Sequence, residues 1–501
     1  MNLAELPDLE YAKYGEHVSI IFNDREYTNK QMHGASLKLA NALKKLGITK
    51  GDRVIIQMPN CPEVFQSFIA VYTIGAVVVP INFMVGDKET AFIYKDTGAK
   101  VIISSAIFLP KIEACRKEAP AMQHVILIDE KVPDHVLSYR KLLAENSDQC
   151  PIEPVKDDDL AALIYTAGTT GNPKGVMHTH KSLLANAQMQ VDTVDVPTGL
   201  TSIMVLPLCH SYGIASTNFG MLKGGGKAVI LDSFDIDKLF AAIEKHKAQI
   251  IGAVPTMYVY MLLHPNPQKY DLSSMKYWVS GSAPLTLETW NQFKAKFGGE
   301  IAEGWGLTEA GANNSANPLQ GPKKIRSIGQ PMKGTLMKVV DDLGNEVPVG
   351  KEGEILITGP MLMKGYWRNP EETAKVLRDG WLYTGDVGYQ DEDGYFFITE
   401  RKKDLIIKGG ENIAPREVEE VLYTHPAVSE ACVVGIPDEV YGENIKAWVV
   451  LKPGQKVTAE EIIDFCQARL KRFKSPKVVE FIAALPKSLV GKILRKELRK
   501  M

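Results

Sequence analysis

The sequence predicts an α/β protein: a large N-terminal domain of two doubly wound sheets plus a small β-barrel, followed by a small α+β C-terminal domain. Three observations predict it. Up to about Ser327, short apolar runs alternate with amphipathic stretches, the pattern of largely parallel sheets covered by helices. Two such groups of runs lie on either side of a glycine- and threonine-rich segment, Tyr165 to Gly175. Beyond Ser327, strand-like pieces follow one another closely with turn residues between them, and a compact α+β unit follows the charged knot Glu400-Arg401-Lys402-Lys403-Asp404.

Each element has a local reason. Apolar runs predict strands at Arg53–Gln57, Ala76–Ile81, Lys100–Ser104 and His124–Ile128 before the loop, then at Ala161–Tyr165, leading into it. After it come Ser202–Leu206, Lys227–Leu231, Ile250–Val254 and Tyr277–Ser280. Helical periodicity predicts Asn29–Leu46, Cys61–Ile74, His180–Met189, Asp237–Lys245 and Leu287–Phe297 between them. Asp341-Asp342-Leu343-Gly344-Asn345 and Asp391-Glu392-Asp393-Gly394 read as hairpin turns, so a small antiparallel sheet or barrel is expected from about Ser327 to Glu400. The last unit reads as a helix at Pro415–Tyr423, strands at Ala431–Ile436 and Ile445–Leu451, and a helix at Ala459–Arg472. The domains are therefore taken as residues 1–400 and 401–501.

Bulk properties narrow the function. The 501 residues carry 58 Lys plus Arg against 60 Asp plus Glu, a formal net charge of -2, which gives no reason to expect nucleic acid as a partner. The six cysteines contain no CxxC pair and fit reduced thiols in a cytoplasmic protein. The N-terminus lacks an h-region, so no signal peptide is expected, and no apolar run is long enough for a transmembrane segment. The oligomeric state is open, with a homodimer as the candidate.

The most telling segment is Thr166-Ala167-Gly168-Thr169-Thr170-Gly171-Asn172-Pro173-Lys174-Gly175, behind an apolar strand. Small residues let main-chain N–H groups approach an anion, and hydroxyls and an ammonium add donors. This is a phosphate-holding loop without the Walker ending, because Lys174 is followed by Gly175 and Val176. A second segment is Glu303-Gly304-Trp305-Gly306-Leu307-Thr308-Glu309. Its aromatic can stack on a base, Thr308 can donate to phosphate, and Glu309 offers a hard oxygen for Mg²⁺. Further segments are Trp381-Leu382-Tyr383-Thr384-Gly385-Asp386, Lys408-Gly409-Gly410-Glu411-Asn412 and Gly491-Lys492-Ile493-Leu494-Arg495.

Together and in this order these motifs resemble the adenylate-forming superfamily, which includes acyl- and aryl-CoA synthetases, firefly luciferase and peptide-synthetase adenylation domains. The resemblance runs from about Asn29 to Lys492 and is nearest to the acyl-CoA synthetase and fatty-acid–CoA ligase branch. It implies ATP, Mg²⁺ and coenzyme A, and a mobile C-terminal domain. It implies that the loop residues Thr166, Gly168, Thr169, Thr170, Gly171 and Lys174 clasp the ATP phosphates. Gly281, Ser282 and Ala283 would border adenine and acyl group, with Glu303, Gly304, Trp305 and Gly306 forming the neighbouring wall. Trp305 departs from the family's usual Tyr or Phe, keeping the stacking surface without the phenol. Thr308 and Glu309 match phosphate and Mg²⁺ contacts, Asp386 and Arg401 the ribose pair, and Lys403 the hinge. Gly409 and Gly410 match the loop that admits pantetheine, Lys492 the lysine that reaches into the site during adenylation, and His210 a position beside the reacting carboxylate.

The implied reaction joins two anions, so the protein needs charge neutralisation and alignment rather than a nucleophile of its own. By the same resemblance the acyl pocket draws on Leu208–Gly213, Val254–Tyr260, Gly281–Ala283 and Trp305–Asn313. No Arg or Lys lies in these stretches, which disfavours a second carboxylate on the acid. Cys209-His210 stand where amino-acid-activating relatives carry the amine-binding Asp. An apolar tail remains, read as a medium- or long-chain fatty acid, with an aryl or cyclic acid as the alternative. A non-CoA acyl-adenylating enzyme is a further alternative, although no insertion that would block domain rotation fits between Tyr383 and Arg401.

Overall fold

The computed structural model describes residues 1–83, 85–166, 172–487 and 493–501. The first group of apolar runs forms an eight-stranded sheet. Its spatial order is Gly365–Tyr366, Lys174–Thr179, Leu160–Thr166, Val77–Pro80, Arg53–Gln57, Val101–Ser104, His124–Leu127 and Leu137–Ser138. From Leu160–Thr166 onward the neighbours are parallel. Val77–Pro80, all apolar, and Val101–Ser104, apolar up to Ser104, are buried along their whole length, as parallel strands covered on both faces must be.

The second group forms a nine-stranded sheet with a parallel centre: Ile301–Trp305, Tyr277–Ser280, Ile250–Ala253, Thr201–Met204, Lys227–Ile230 and Val18–Phe22. A hairpin the sequence reading missed, Val18–Phe22 with Arg25–Thr28, closes one side. Asn23 and Asp24 make its turn at φ 49° and 63°, a conformation these two residue types tolerate. This hairpin crosses to the second sheet before the chain has built the first, which no local pattern announces.

The small barrel expected between Ser327 and Glu400 is an open five-stranded antiparallel sheet. Trp381–Gln390 carries three partners along different stretches, Gly353–Thr358, Leu377–Arg378 and Phe396–Arg401, and among the described strands Leu336–Val340 pairs with Gly353–Thr358 alone. Closure is unnecessary because the inner face (Val339, Ile355, Ile357, Phe396) packs on Met189 and Ala310 of the larger body.

The C-terminal unit has its own sheet, Glu411–Ile413, Ile406–Lys408, Gly442–Leu451 and Val428–Asp438, with Val478–Phe481 parallel to Gly442–Leu451. Pro415–Tyr423 buries Val418 and Leu422 against it. The helix from Ala459 stops at Gln467 rather than Arg472. Its buried stripe, Ile462 and Cys466, ends there, and the next residues, Gln467, Ala468 and Arg469, are exposed. No helix among the described residues is long and apolar enough to cross a membrane.

Candidate active site

The glycine- and threonine-rich segment connects two antiparallel strands, with Thr166 opposite Lys174. It is a hairpin connection, unlike the strand-to-helix turn of a Walker loop. Gly168, Thr169, Thr170 and Gly171 lie outside the described residues, as does Lys492. Lys174 forms an ion pair with Glu372 and sits 5.2 Å from the centre of the Tyr366 ring. The Tyr366 hydroxyl donates to Glu309 Oε1 at 2.9 Å. Burial, with Glu309 beside it, raises the Tyr366 phenol, so it keeps the proton it donates. One short chain of contacts thus connects the loop's cation to the carboxylate expected to face Mg²⁺.

Glu309 lies on the short 3₁₀ turn Thr308–Ala310 that follows the strand Ile301–Trp305. Its Oε2 has no partner among the described residues, and no cluster of three or more metal-ligating side chains is found among them. A single carboxylate with a spare oxygen suits Mg²⁺, which takes most of its ligands from phosphate and water. Thr308 Oγ1 lies 3.2 Å from Ser211 Oγ, and its carbonyl accepts from His178 Nε2 at 2.6 Å. His178 is fully buried, and burial pulls its imidazole down to about 4, so it is a neutral brace.

Gly306 is obligatory. A Cβ there would stand 1.4 Å from the Ala312 carbonyl oxygen. Next to it, the Trp305 indole N–H donates to Asp386 Oδ2 at 3.0 Å. Arg401 Nε holds Asp386 Oδ1 at 2.9 Å, and the two residues face each other across the ladder between Trp381–Gln390 and Phe396–Arg401. The pair expected to bind ribose is therefore assembled by strand register, with the tryptophan as a third member that sequence reasoning did not connect to it.

Gly281, Ser282 and Ala283 leave the end of Tyr277–Ser280, with Ser282 in the left-handed region at φ 68°. Glu303 departs from expectation. It pairs with Ser280 inside the sheet, so its side chain lies beneath that departing loop, where Oε2 accepts from Leu285 N–H at 3.2 Å. It supports the 281–285 segment from behind instead of facing a nucleotide. Burial pushes its carboxyl up to about 7, against the opposing influence of Arg416 and Arg326. Gly304 lies beside Ser315 in the strand, where a Cβ would meet the Ser315 carbonyl at 3.3 Å.

His210 caps the helix Ser211–Lys223, its Nδ1 accepting from Tyr212 N–H at 3.3 Å. In the neutral ring this leaves the proton on Nε2. Cys209 beside it is buried, and burial pushes its thiol up to about 12, so it is no nucleophile. Behind Tyr212 and Gly213 opens a largely apolar cavity of about 240 Å³. It runs along Ser211–Lys223 and reaches Phe65, Ile69 and Met32. Of the expected lining, Met257 and Tyr258 fall elsewhere: both are buried in the core around Phe293, and the Tyr258 hydroxyl donates to the Val279 carbonyl at 2.9 Å.

In the C-terminal unit, Gly409 and Gly410 form the tip between Ile406–Lys408 and Glu411–Ile413, at φ 61° and 86°. Positive φ at both central positions defines a type I′ turn, which accounts for the glycines. Lys403 sits in the exposed turn after Arg401, and its carbonyl faces Arg499 Nη1 at 3.5 Å. Lys487 pairs with Ile493 across the segment that contains Lys492, and its ammonium lies 5.6 Å from the ring centre of Tyr260 in the large domain. The partners Tyr366, Glu372, Ser211 and His178 were missed by sequence reasoning. Gly365-Tyr366-Trp367, an aromatic pair behind a glycine, was the one visible signal.

Comparison with known proteins shows the family. The AMP-binding enzyme family matches residues 9–367, and the AMP-binding enzyme C-terminal domain matches 417–492. A long-chain-fatty-acid–CoA ligase of Bacillus subtilis (strain 168) is 39% identical over 515 residues, covering 97% of this chain and 92% of the relative. 4-Coumarate–CoA ligase 1 of Solanum tuberosum is 38% identical over 489 residues, covering 95% and 89%. The crystal structure of the anthranilate CoA ligase AuaEII, in complex with anthranoyl-AMP, superposes with a TM-score of 0.95 at 30% identity, covering 100% and 97%. The fold and site define an adenylating enzyme, and the chain belongs to the AMP-binding enzyme family, among its acid–thiol ligases. ATP and CoA are substrates of that family.

Proposed function

We propose that this protein adenylates a medium- or long-chain fatty acid with ATP and transfers the acyl group to CoA. The observation that carries the chain-like tail is the apolar cavity behind Tyr212. At 1.5 Å of rise per residue, the helix from Tyr212 to Lys223 extends it by about 16 Å. An extended chain advances roughly 1.2 Å per bond, so about a dozen methylenes fit that length. The Bacillus subtilis relative's name points the same way. A second reading, an aryl or cyclic acid, draws on the coumarate and anthranilate ligases and would use only the mouth of the cavity.

In the first step a carboxylate oxygen bonds to the α-phosphorus and pyrophosphate leaves. The 166–174 loop, with Lys174 at its end, holds the departing phosphates, and Lys492 neutralises the developing charge. Thr308 donates to phosphate from a position fixed by His178 and Ser211. When bound through Glu309, Mg²⁺ would supply further charge neutralisation at the phosphates. Asp386 and Arg401 orient the ribose, and His210 Nε2–H steadies the acid. In the second step the CoA sulfur bonds to the acyl carbon, the C–O bond to AMP breaks, and the thiol proton is lost to solvent. The small domain turns at Lys403, with residues 401–501 moving together, to bring Gly409 and Gly410 to the site.

Pyrophosphate release over a panel of carboxylic acids, with and without CoA, tests this. Release with saturated medium- and long-chain acids, and thioester only when CoA is present, is expected. Release confined to aryl acids would select the second reading, and release with no acid would overturn the function.

A further inference from the structure

The turn Lys324-Ile325-Arg326-Ser327 breaks a local rule. Ser327 N–H donates to the Lys324 carbonyl at 3.2 Å, and Arg326, at the third position, has φ 71°. A positive φ at that position is what glycine supplies, and a long L side chain there strains the backbone. The surroundings enforce it. Ser327 is fully buried, its carbonyl accepts from Asn317 Nδ2 at 2.8 Å, and Lys324 N–H donates to Asn317 Oδ1 at 3.0 Å. Strain of this kind clusters where a side chain has a task.

The Arg326 side chain leaves its own domain. Its Nη2 forms an ion pair with Glu420 Oε2 on the helix Pro415–Tyr423, whose Val418 and Leu422 are buried in the C-terminal unit's own core. Arg416, one turn earlier, holds Glu420 Oε1 through Nε at 3.2 Å and donates from Nη1 to the Ile398 carbonyl at 2.7 Å. Glu420 therefore stands between an arginine of each domain. Glu400 also meets Arg495 and the Arg416 N–H, but it lies three residues from Lys403, where a turn about that residue moves atoms least. Arg326 lies farther out: Ile328 N–H donates to the Phe396 carbonyl, which puts this turn beside the end of Phe396–Arg401 remote from the pivot. With the pair closed, Lys487, which flanks the segment holding Lys492, sits 5.6 Å from the Tyr260 ring centre, while a Cβ at Gly410 would meet no described atom within 4 Å. The adenylating segment thus lies against the large domain, and the pantetheine tip stands in open space.

We propose that Arg326 and Glu420 form an interdomain latch that holds residues 401–501 in the adenylating arrangement and opens before thiol transfer, so that this pair sets the balance between the two half-reactions. The latch rests on the turn about Lys403 put forward above and is independent of which acid is activated. Its strength suits a reversible contact. The Arg326 side chain keeps 47% of its surface in water, and an exposed ion pair of ordinary strength shifts an equilibrium by about two- to fivefold. A latch of that size favours one arrangement without trapping it.

The test measures ATP–pyrophosphate exchange, and thioester formation from supplied acyl-adenylate and CoA, on the full-length protein and on its Arg326→Gly, Glu420→Gln, double and Arg326→Lys variants. Arg326→Gly removes the guanidinium and relieves the left-handed backbone, so the fold is kept. The ratio of exchange to transfer should fall about two- to fivefold in each single variant and no further in the double, and Arg326→Lys should keep most of it. A second measurement needs no acid. The six native cysteines are buried, so dyes can be attached to cysteines introduced at exposed Ile107 and Val440, and energy transfer between them reads the domain arrangement. The population in the arrangement described here should fall by the same factor in Arg326→Gly. Equal change in both half-reactions, an Arg326→Gly effect undiminished beside Glu420→Gln, or an unmoved dye distribution would overturn the latch. Failure of the unaltered protein to activate any acid would refute the proposed function, and the dye measurement would still decide the latch.

Discussion

Arg495 is the strongest single point of attack on the C-terminal unit. Its Nη2 reaches both Glu419 oxygens at 2.7 Å, and its Nη1 reaches both Glu400 oxygens at 3.3 Å. Both carboxylates are largely buried, and burial raises Glu419 while Arg495 opposes that rise. At about 3 Å and an effective dielectric near 20, each contact is worth on the order of 5 kcal/mol before desolvation. Removing one partner of a buried pair costs about 3–5 kcal/mol, because the other charge is stranded. Arg495 keeps a fifth of its side-chain surface in water, so the lower figure applies to Arg495→Leu. For a unit of about a hundred residues, ~3 kcal/mol lowers the melting transition by roughly 12–24 °C. Scanning calorimetry of the whole chain should show that loss in the transition of the C-terminal unit. Adding Glu419→Gln removes one of the two stranded charges and still accepts from Val433 N–H, while Glu400 keeps the Arg401 and Arg416 N–H groups, so the double variant should recover about half of it. A loss for Arg495→Leu below about 1 kcal/mol, or no recovery in the double variant, would refute the buried-pair argument.

Three other outcomes are expected. Glu303 binds its proton more tightly folded, at about 7, than unfolded, so its contribution is full below about 4.5 and disappears as pH rises to about 7; Glu303→Gln should flatten urea-derived stability across that interval, and an unchanged slope would count against it. Gly306→Ala should abolish ATP-dependent pyrophosphate exchange, because its Cβ meets a backbone oxygen that no rotamer change can clear; near-normal exchange would contradict the geometry. Trp305→Phe keeps the ring but strips from Asp386 a donor that holds it in place, so the KM for ATP should rise severalfold with kcat less affected, and an unchanged KM would count against this positioning.

The elements legible in the sequence were those whose local pattern and burial agree. Tyr277–Ser280, Leu287–Phe297 and Pro415–Tyr423 lie where the apolar period put them. The helix Ser211–Lys223 was not legible, since Ser211-Tyr212-Gly213-Ile214-Ala215-Ser216 mixes small and polar residues. Its shape is set by packing on His180–Thr193 and by the cavity beside it. Site residues were legible as types in motifs, but their partners were not. Glu309 and Tyr366 are 57 residues apart and Lys174 and Glu372 are 198 apart, separations at which only the folded sheet decides who meets whom.

Those partners determine how the proposed nucleotide contacts behave. Lys174 is paired with Glu372, Glu309 with Tyr366, Thr308 with Ser211, and Asp386 with both Trp305 and Arg401. None has to be abandoned for ATP to bind. An ammonium has three donors, so Lys174 can keep Glu372 and still reach phosphate, and a carboxylate has about four acceptor positions, so Asp386 can keep both partners and still take two ribose hydroxyls. The side chains are therefore held in place beforehand by bonds that survive binding, and little of the binding energy goes into ordering them.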